Sequence, residues 1–312
     1  MLKSEIRNEF EARMIEIRNT LFIFGTLLVA SASLPGAEPV SRPSLALENP
    51  FFAFDNGVGR GKMSSAEQAA LLKELGYDGI GYTGAEDLQE RLAAFDAAGL
   101  RILNLYVNVS LSPDGYKINF DLPTAVELLK GRNAGLWLTI TGDGGKQAEE
   151  HALAAVRVVA DHAARGGLRV VLYPHTGHFV ETTADGARLA KNCGRKNVGT
   201  TINLCHWLRV ESDKPLSKLV EEAGDRLMLV SVNGADVGGK DWKTLIQPLG
   251  EGDFDAYAFL KEIKESGYTG PVGLQCYNIP GPAKEHLTHS MRAWKEWTRG
   301  PRKEIDHANP SP

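Results

Sequence analysis

His175, His178 and His206 are the side chains here best suited to moving protons. An imidazole titrates near neutral pH, where carboxylates and amines keep their charge. Held within hydrogen-bond reach of a carbon next to a carbonyl, such a base removes the α proton and leaves a carbanion. His206 and His175 are the candidate catalytic bases, with Asp236 as a candidate acid or base. Asp55 and Asp143 are further carboxylates at strand ends, and Lys240 is placed to neutralise a developing oxyanion. Tyr173, Asn203, Asn233, Gln275, Asn104, Tyr106 and His178 are the candidate substrate-binding side chains. Hydroxyls and amides of this kind suit a small carbohydrate substrate. Each also has a plain structural reading: a satisfied core histidine, a helix-capping carboxylate, a solvated lysine.

These residues need a scaffold that brings distant segments together. Short β-branched or aromatic runs at 51–55, 79–83, 101–109, 136–141, 168–175, 198–206, 226–233 and 271–277 alternate with amphipathic helical stretches such as 65–75, 85–98, 148–164 and 254–266. Gly76, Gly99, Gly166, Gly224 and Gly267 stand where helices should end. Eight such units predict an α/β fold, a single (β/α)8 barrel over 49–299, whose chemistry gathers at the carboxyl ends of the strands. A doubly wound open sheet is the rival, weakened because Gly57-Val-Gly-Arg-Gly61 has no apolar helix packed directly behind it. Alternation along the strands puts Asn104, Tyr106 and Asn108 on one face, and likewise Tyr173 with His175, Asn203 with Cys205, Ser231 with Asn233, and Gln275 with Tyr277. A barrel built only for stability would carry Val, Ile and Leu there, so the polar face points to a ligand rich in hydroxyls, or else to a self-satisfied polar core. Tyr82, Tyr106, Trp137, Tyr173, Trp207 and Tyr277 near strand ends offer faces on which sugar C–H groups pack.

Of the 312 residues, 43% are hydrophobic and 24% charged, with a net charge of −4. That balance gives no electrostatic case for a nucleic-acid or anionic-membrane partner. Cys193, Cys205 and Cys276 match no zinc spacing and no activated nucleophile. The amino terminus has the layout of a secretory signal: Lys3, Arg7, Arg13 and Arg18, an apolar run at 21–30, then Ala30-Ser31-Ala32. A signal peptide at 1–32, with Met14 as an alternative start, predicts export to the periplasm or medium of a bacterium, with no membrane span after cleavage. An uncleaved anchor or an amphipathic extension is the competing reading. A linker at 33–48 and a tail at 300–312 would flank the barrel, and the oligomeric state stays open.

Pro248-Leu-Gly-Glu-Gly-Asp-Phe-Asp255, Leu260 and Gly267-Tyr-Thr-Gly-Pro-Val-Gly-Leu-Gln275 resemble the carboxyl-terminal signature of xylose isomerase-like TIM barrels. The resemblance covers roughly 49–297. That superfamily includes sugar-phosphate isomerases and epimerases, ketose 3-epimerases and endonuclease IV. It implies a divalent metal held by a Glu, an Asp, a His and a Glu on strands five to eight, with a substrate-contacting His three residues after the Asp. Here Tyr173, Asn203, either Ser231 or Asn233, and Gln275 stand at those positions, and His206 keeps the further His. Neutral amides and hydroxyls hold a hard cation weakly, so the usual metal site is expected to be lost. A relocated divalent-metal site through His175, His178 or Asp236 is left open, and no other cofactor is expected. The resemblance and the histidines together imply an exported isomerase or epimerase acting α to a carbonyl of a sugar or keto-sugar. The alternatives are a lyase using the same carbanion on keto-glycosides, and a non-catalytic carbohydrate-binding barrel.

Overall fold

A computed structural model describes residues 42–299. The expected signal peptide, the first part of the linker and the tail from 300 onward lie outside the described residues. The elements run β1 (Phe51–Phe54), α1 (Ser65–Leu75), β2 (Gly79–Thr83), α2 (Leu88–Ala97), β3 (Arg101–Ser112), β4 (Gly115–Ile118), α3 (Leu122–Leu129), β5 (Gly135–Gly142) and α4 (Ala148–Arg165). They continue with β6 (Arg169–Leu172), α5 (Thr183–Asn192), β7 (Val198–Asn203), α6 (Leu204–Val210), α7 (Leu216–Ala223), β8 (Leu227–Val232), α8 (Trp242–Leu245), α9 (Ala256–Glu265), β9 (Val272–Leu274) and α10 (Ala283–Arg299).

Eight strands pair in parallel in the order β1-β2-β3-β5-β6-β7-β8-β9, and β9 returns to β1, so the sheet closes. Closure leaves the eight parallel strands without an edge and rules out the open doubly wound sheet. The chain is a (β/α)8 barrel. β4 was not anticipated: β3 runs past 109 to Ser112 and folds back at Pro113-Asp114, pairing Val109 with Ile118 and Ser112 with Gly115. Strands β6, β7 and β9 stop earlier than the sequence suggests. Pro174 has no N–H to continue the β6 ladder, and Asn203 ends β7 by capping α6. The residues expected at those strand ends therefore sit in loops or in the first turn of a helix.

The alternation along the strands places most side chains as expected; Leu103 is the exception, turned inward beside Asn104 where the β2–β3 register shifts after Ile80. Outward residues form the large apolar layer between sheet and helices. Inward, Phe52, Phe54, Leu103, Trp137, Val171, Tyr173 and Leu229 fill the barrel. Three of these rings form a continuous stack, Phe54 on Trp137 at 4.5 Å and Trp137 on Tyr173 at 3.6 Å. Glycine on the neighbouring strand β9 makes room for it, since a Cβ on Gly273 would lie 2.7 Å from the Phe54 ring.

The amino end of the barrel is sealed by residues 42–48 and α10. Leu45 N–H donates to the Trp297 carbonyl at 2.8 Å, and Trp294 stacks on Phe51 at 4.0 Å. Among the described residues, no helix is long and apolar enough to cross a membrane.

Candidate active site

Asn203 fixes one wall of the site. It is the N-cap of α6, and its Oδ1 accepts from the His206 N–H at 3.4 Å. With its oxygen committed to the helix, Asn203 presents Nδ2 to the Tyr173 hydroxyl at 3.3 Å. The cap also places His206 in the first turn of α6, facing the β6 loop. There the Thr176 N–H and hydroxyl both lie against His206 Nδ1, at 3.2 and 3.0 Å. A backbone N–H only donates, so Nδ1 carries the lone pair and neutral His206 carries its proton on Nε2. Nε2–H then donates to Tyr173 Oη at 2.9 Å. The expected base His206 thus has both nitrogens engaged. It is a donor to Tyr173 and is not free to take a proton from a ligand.

His175 is arranged the other way. Its Nδ1 lies 3.0 Å from the Thr176 carbonyl, which only accepts, so Nδ1 carries the proton and the lone pair sits on Nε2. Among the described residues Nε2 has no hydrogen-bond partner, and His175 lines the central cavity. His178 stacks on His175 at 4.0 Å from behind. Burial, followed by the neighbouring His175 and His178, holds the His206 pKa well below that of a free histidine. Burial lowers that of His175, opposed by its bond to the Thr176 carbonyl. Burial and His175 bring His178 down to about 4. All three rings are neutral at pH 7.

The facing wall comes from β9 and β1. Gln275 Oε1 accepts from Asn56 Nδ2 at 2.9 Å and from the Cys276 and Tyr277 N–H groups at 3.1 and 3.2 Å. With its oxygen taken up, its amide nitrogen is left as a donor in the cavity wall that it shares with Tyr173. Asp55 is buried, accepts from the Thr83 hydroxyl at 2.9 Å and pairs with Arg60 at 3.2 Å. Burial raises its pKa, and Arg60 opposes the rise. The walls enclose a cavity of about 310 Å³ at the carboxyl ends of the strands, with half-exposed Tyr277 on its rim.

The structure thus brings together Tyr173, His175, Asn203, His206, Gln275 and Tyr106, whose ring meets Tyr173 edge-on at 5.5 Å. Other expected residues lie elsewhere. Asn104 is deeper in the barrel, its amide buried without a partner. Asn233 donates to the Gly234 and Leu245 carbonyls, both at 2.8 Å, and braces the loop before α8. Asp236 and exposed Lys240 sit in that loop, away from the cavity lining, so neither stands where an acid, base or oxyanion partner must be. Asp143 accepts from the Gly145 N–H at 2.8 Å as a loop cap. Tyr82 and Trp207 face the helix layer, and the Cys205 Sγ–H donates to Asn203 Oδ1 at 3.1 Å. Asn108 Nδ2 donates to the Thr139 and Thr141 hydroxyls at 3.0 and 3.2 Å. The sequence reading missed Asn56 and Arg60, which line the cavity from the segment after β1, and Trp242, which lines it from the start of α8. The glycine-flanked Arg60 of Gly57-Val-Gly-Arg-Gly61 is the available signal for the first two.

Asn203 lies opposite Ser231 across the β7–β8 ladder, whereas the Asn233 amide is spent on the Gly234 and Leu245 carbonyls, which favours Ser231 over Asn233 at the strand-seven position. Tyr173, Asn203, Ser231 and Gln275 therefore occupy the positions where the resembled family holds a metal. They do not fit one. The two amide oxygens that would coordinate a hard cation are turned away into hydrogen bonds, and N–H groups face inward. Among the described residues, no three His, Cys, Asp or Glu side chains come together in a metal-ligating group, and Asp236 does not join His175 and His178.

Comparison with known proteins agrees with this architecture. A stretch of 146 residues, 44% of this chain, is 26% identical to 3-dehydroshikimate dehydratase of Pseudomonas putida but covers only 23% of that protein. The P. aeruginosa enzyme of the same name is 27% identical over 128 residues, 39% of this chain and 20% of its own length. The chain thus matches less than a quarter of these relatives. Among solved structures, D-allulose 3-epimerase from Methylomonas sp. superposes with a TM-score of 0.65 at 17% identity, over 81% of this chain and 99% of that one. The 3-keto-D-glucoside 4-epimerase of E. coli gives 0.60 at 18% identity, over 79% and 98%. At such identities these likenesses speak for the fold. Residues 69–297 match the sequence profile of the xylose isomerase-like TIM barrel, and the chain belongs to that family.

Proposed function

We propose that this chain is an enzyme that removes the proton α to the carbonyl of a keto-sugar. The proton returns to a neighbouring carbon or to the other face, which makes the protein an isomerase or epimerase. The observation that carries this reading is the His175 tautomer. The Thr176 carbonyl holds the proton on Nδ1, so the basic Nε2 lone pair stands free beside a cavity rich in hydrogen-bond donors. A neutral imidazole of that kind contributes about 10²–10⁴-fold as a general base. The Tyr106 and Trp137 rings give a sugar its apolar contact, and Arg60 is a cationic partner for its oxygens. The structurally similar D-allulose and 3-keto-D-glucoside epimerases support the reading.

A second reading is favoured by the dehydratase matches. The same carbanion expels a leaving group from the adjacent carbon, so the enzyme is a lyase on a keto-glycoside or hydroxy-ketone. Export, carried by the signal-like residues 1–32, is part of the proposal and fits an unphosphorylated substrate. Mass analysis of the chain recovered from a bacterial periplasm tests it, with loss of about 32 residues expected.

The chemistry is tested by NMR in heavy water across a panel of ketoses and 3-keto-glycosides. Wild type should place deuterium next to the carbonyl of its substrate, and His175→Gln should reduce that exchange by about 10²-fold or more. Sugar binding with no exchange or elimination would make the protein a binding barrel and sink the proposal.

A further inference from the structure

Where the family's cation position would be, this chain has turned every polar group into a donor, and we propose that this cradle receives an oxyanion derived from a sugar. The inference rests on the proposed chemistry and assigns the site of the charge it creates.

Asn203, His206 and Gln275 are each forced into the donating orientation by groups with only one possible role. The α6 backbone takes the Asn203 oxygen, Thr176 N–H takes the His206 Nδ1 lone pair, and two consecutive backbone N–H groups take the Gln275 oxygen. The remaining N–H groups of His206 and Asn203 converge on Tyr173 Oη, from Nε2 at 2.9 Å and Nδ2 at 3.3 Å, and the Gln275 amide nitrogen is a further donor in the same cavity wall. A phenol oxygen that accepts from its neighbours has its own hydrogen left to give. Among the described residues Tyr173 O–H meets no acceptor, and Tyr173 lines the cavity. Donation into its oxygen polarises the O–H bond and strengthens it as a donor. Ser231, opposite Asn203 across the β7–β8 ladder, is fully buried with a hydroxyl that has no partner. That hydroxyl lies behind the cavity lining, and an anionic oxygen in the cradle is the acceptor that Tyr173 lacks.

The electrons balance as follows. His175 Nε2 takes the α proton, the C–H pair becomes the new C=C bond, and the carbonyl π pair moves onto oxygen. That oxygen gains its charge as it accepts from Tyr173 O–H, with no proton lost from the tyrosine. Reprotonation of carbon reverses the flow. Here fixed donors do what the positive charge of a metal would otherwise do. The same cradle accepts the carboxylate of a sugar acid, which has the charge and planarity of the intermediate.

The test uses D-gluconate and MnCl₂ as probes, with calorimetry on wild type, Tyr173→Phe and Gln275→Glu. Both variants are close in shape to the native residue, and circular dichroism verifies their folding. Wild type should bind gluconate, and each variant should lose about tenfold or more in affinity, the scale of a hydrogen bond to a charged group. Wild type should show no stoichiometric uptake of Mn²⁺. Gluconate that fails to bind wild type, or that binds Gln275→Glu equally well, overturns the cradle, as does stoichiometric Mn²⁺ on wild type. The two proposals fail separately. Deuterium exchange that depends on His175 with gluconate indifferent to Tyr173 and Gln275 leaves the base and removes the cradle. Gluconate binding that follows the cradle variants, without exchange on any sugar, leaves an anion site and removes the base.

Discussion

The division of labour between His175 and His206 turns on one residue, Thr176, which gives its carbonyl to one ring and its N–H to the other. Two chemically identical side chains thereby become a base and a donor. This arrangement has two consequences for pH. As a base, His175 works when neutral, and burial lowers its pKa. The pH profile of kcat/KM should rise to a plateau with an inflection below 6.5, and an inflection above neutrality would contradict the assignment. Stability follows from the same shifts. The unfolded chain binds protons at these histidines near pH 6.5, while the folded chain resists them, down to about 4 at His178. The unfolded state therefore holds more protons in that window, and stability present above 6.5 is lost as pH falls toward 4. Thermal melts across that range should show the loss, and His206→Gln should flatten the slope.

The site depends on where elements stop. β6 ends before Pro174 and β7 ends at the Asn203 cap, so the next residues turn inward across the mouth. A one-residue continuation of either strand would reverse the direction of each side chain that follows. Inside the barrel, the absence of side chains on particular strands is as constraining as the rings themselves. Gly273 faces Phe54 so closely that Gly273→Ala would place a Cβ 2.7 Å from the ring and push the Phe54–Trp137–Tyr173 stack. The expected cost is about 1–3 kcal/mol. A melting temperature lower by several degrees, with changed tryptophan fluorescence, is the outcome to look for; an unchanged melt would mean that the stack yields easily.

At the scale of the molecule, closure of the barrel gives a stable end and a functional end. The amino end is sealed by α10, where Trp294 lies parallel on Phe51 at 4.0 Å and the Tyr77 hydroxyl donates to the Leu287 carbonyl at 2.8 Å. Trp294→Ala should cost about 3–5 kcal/mol, read as a fall in melting temperature. Because the cavity lies at the opposite mouth, kcat/KM measured well below the melt should stay within about twofold of wild type, as expected for separated sites.

The barrel was legible in the order of strands and helices, and the inward face of each strand in its alternation. Period-two spacing fixes side-chain direction locally, so the inward placement of Trp137, Tyr173, Asn203 and Gln275 is readable from the sequence alone. The polar identity of the family's metal positions was equally plain from the residue types. The donor character of those positions was not, because it depends on groups distant in sequence. Thr176 meets His206 across 30 residues, and Asn56 meets Gln275 across 219. An amide or an imidazole in a sequence is both donor and acceptor. Only the tertiary structure supplies the backbone N–H or carbonyl that removes one of those roles, and that choice separates a seat for a cation from a seat for an oxyanion.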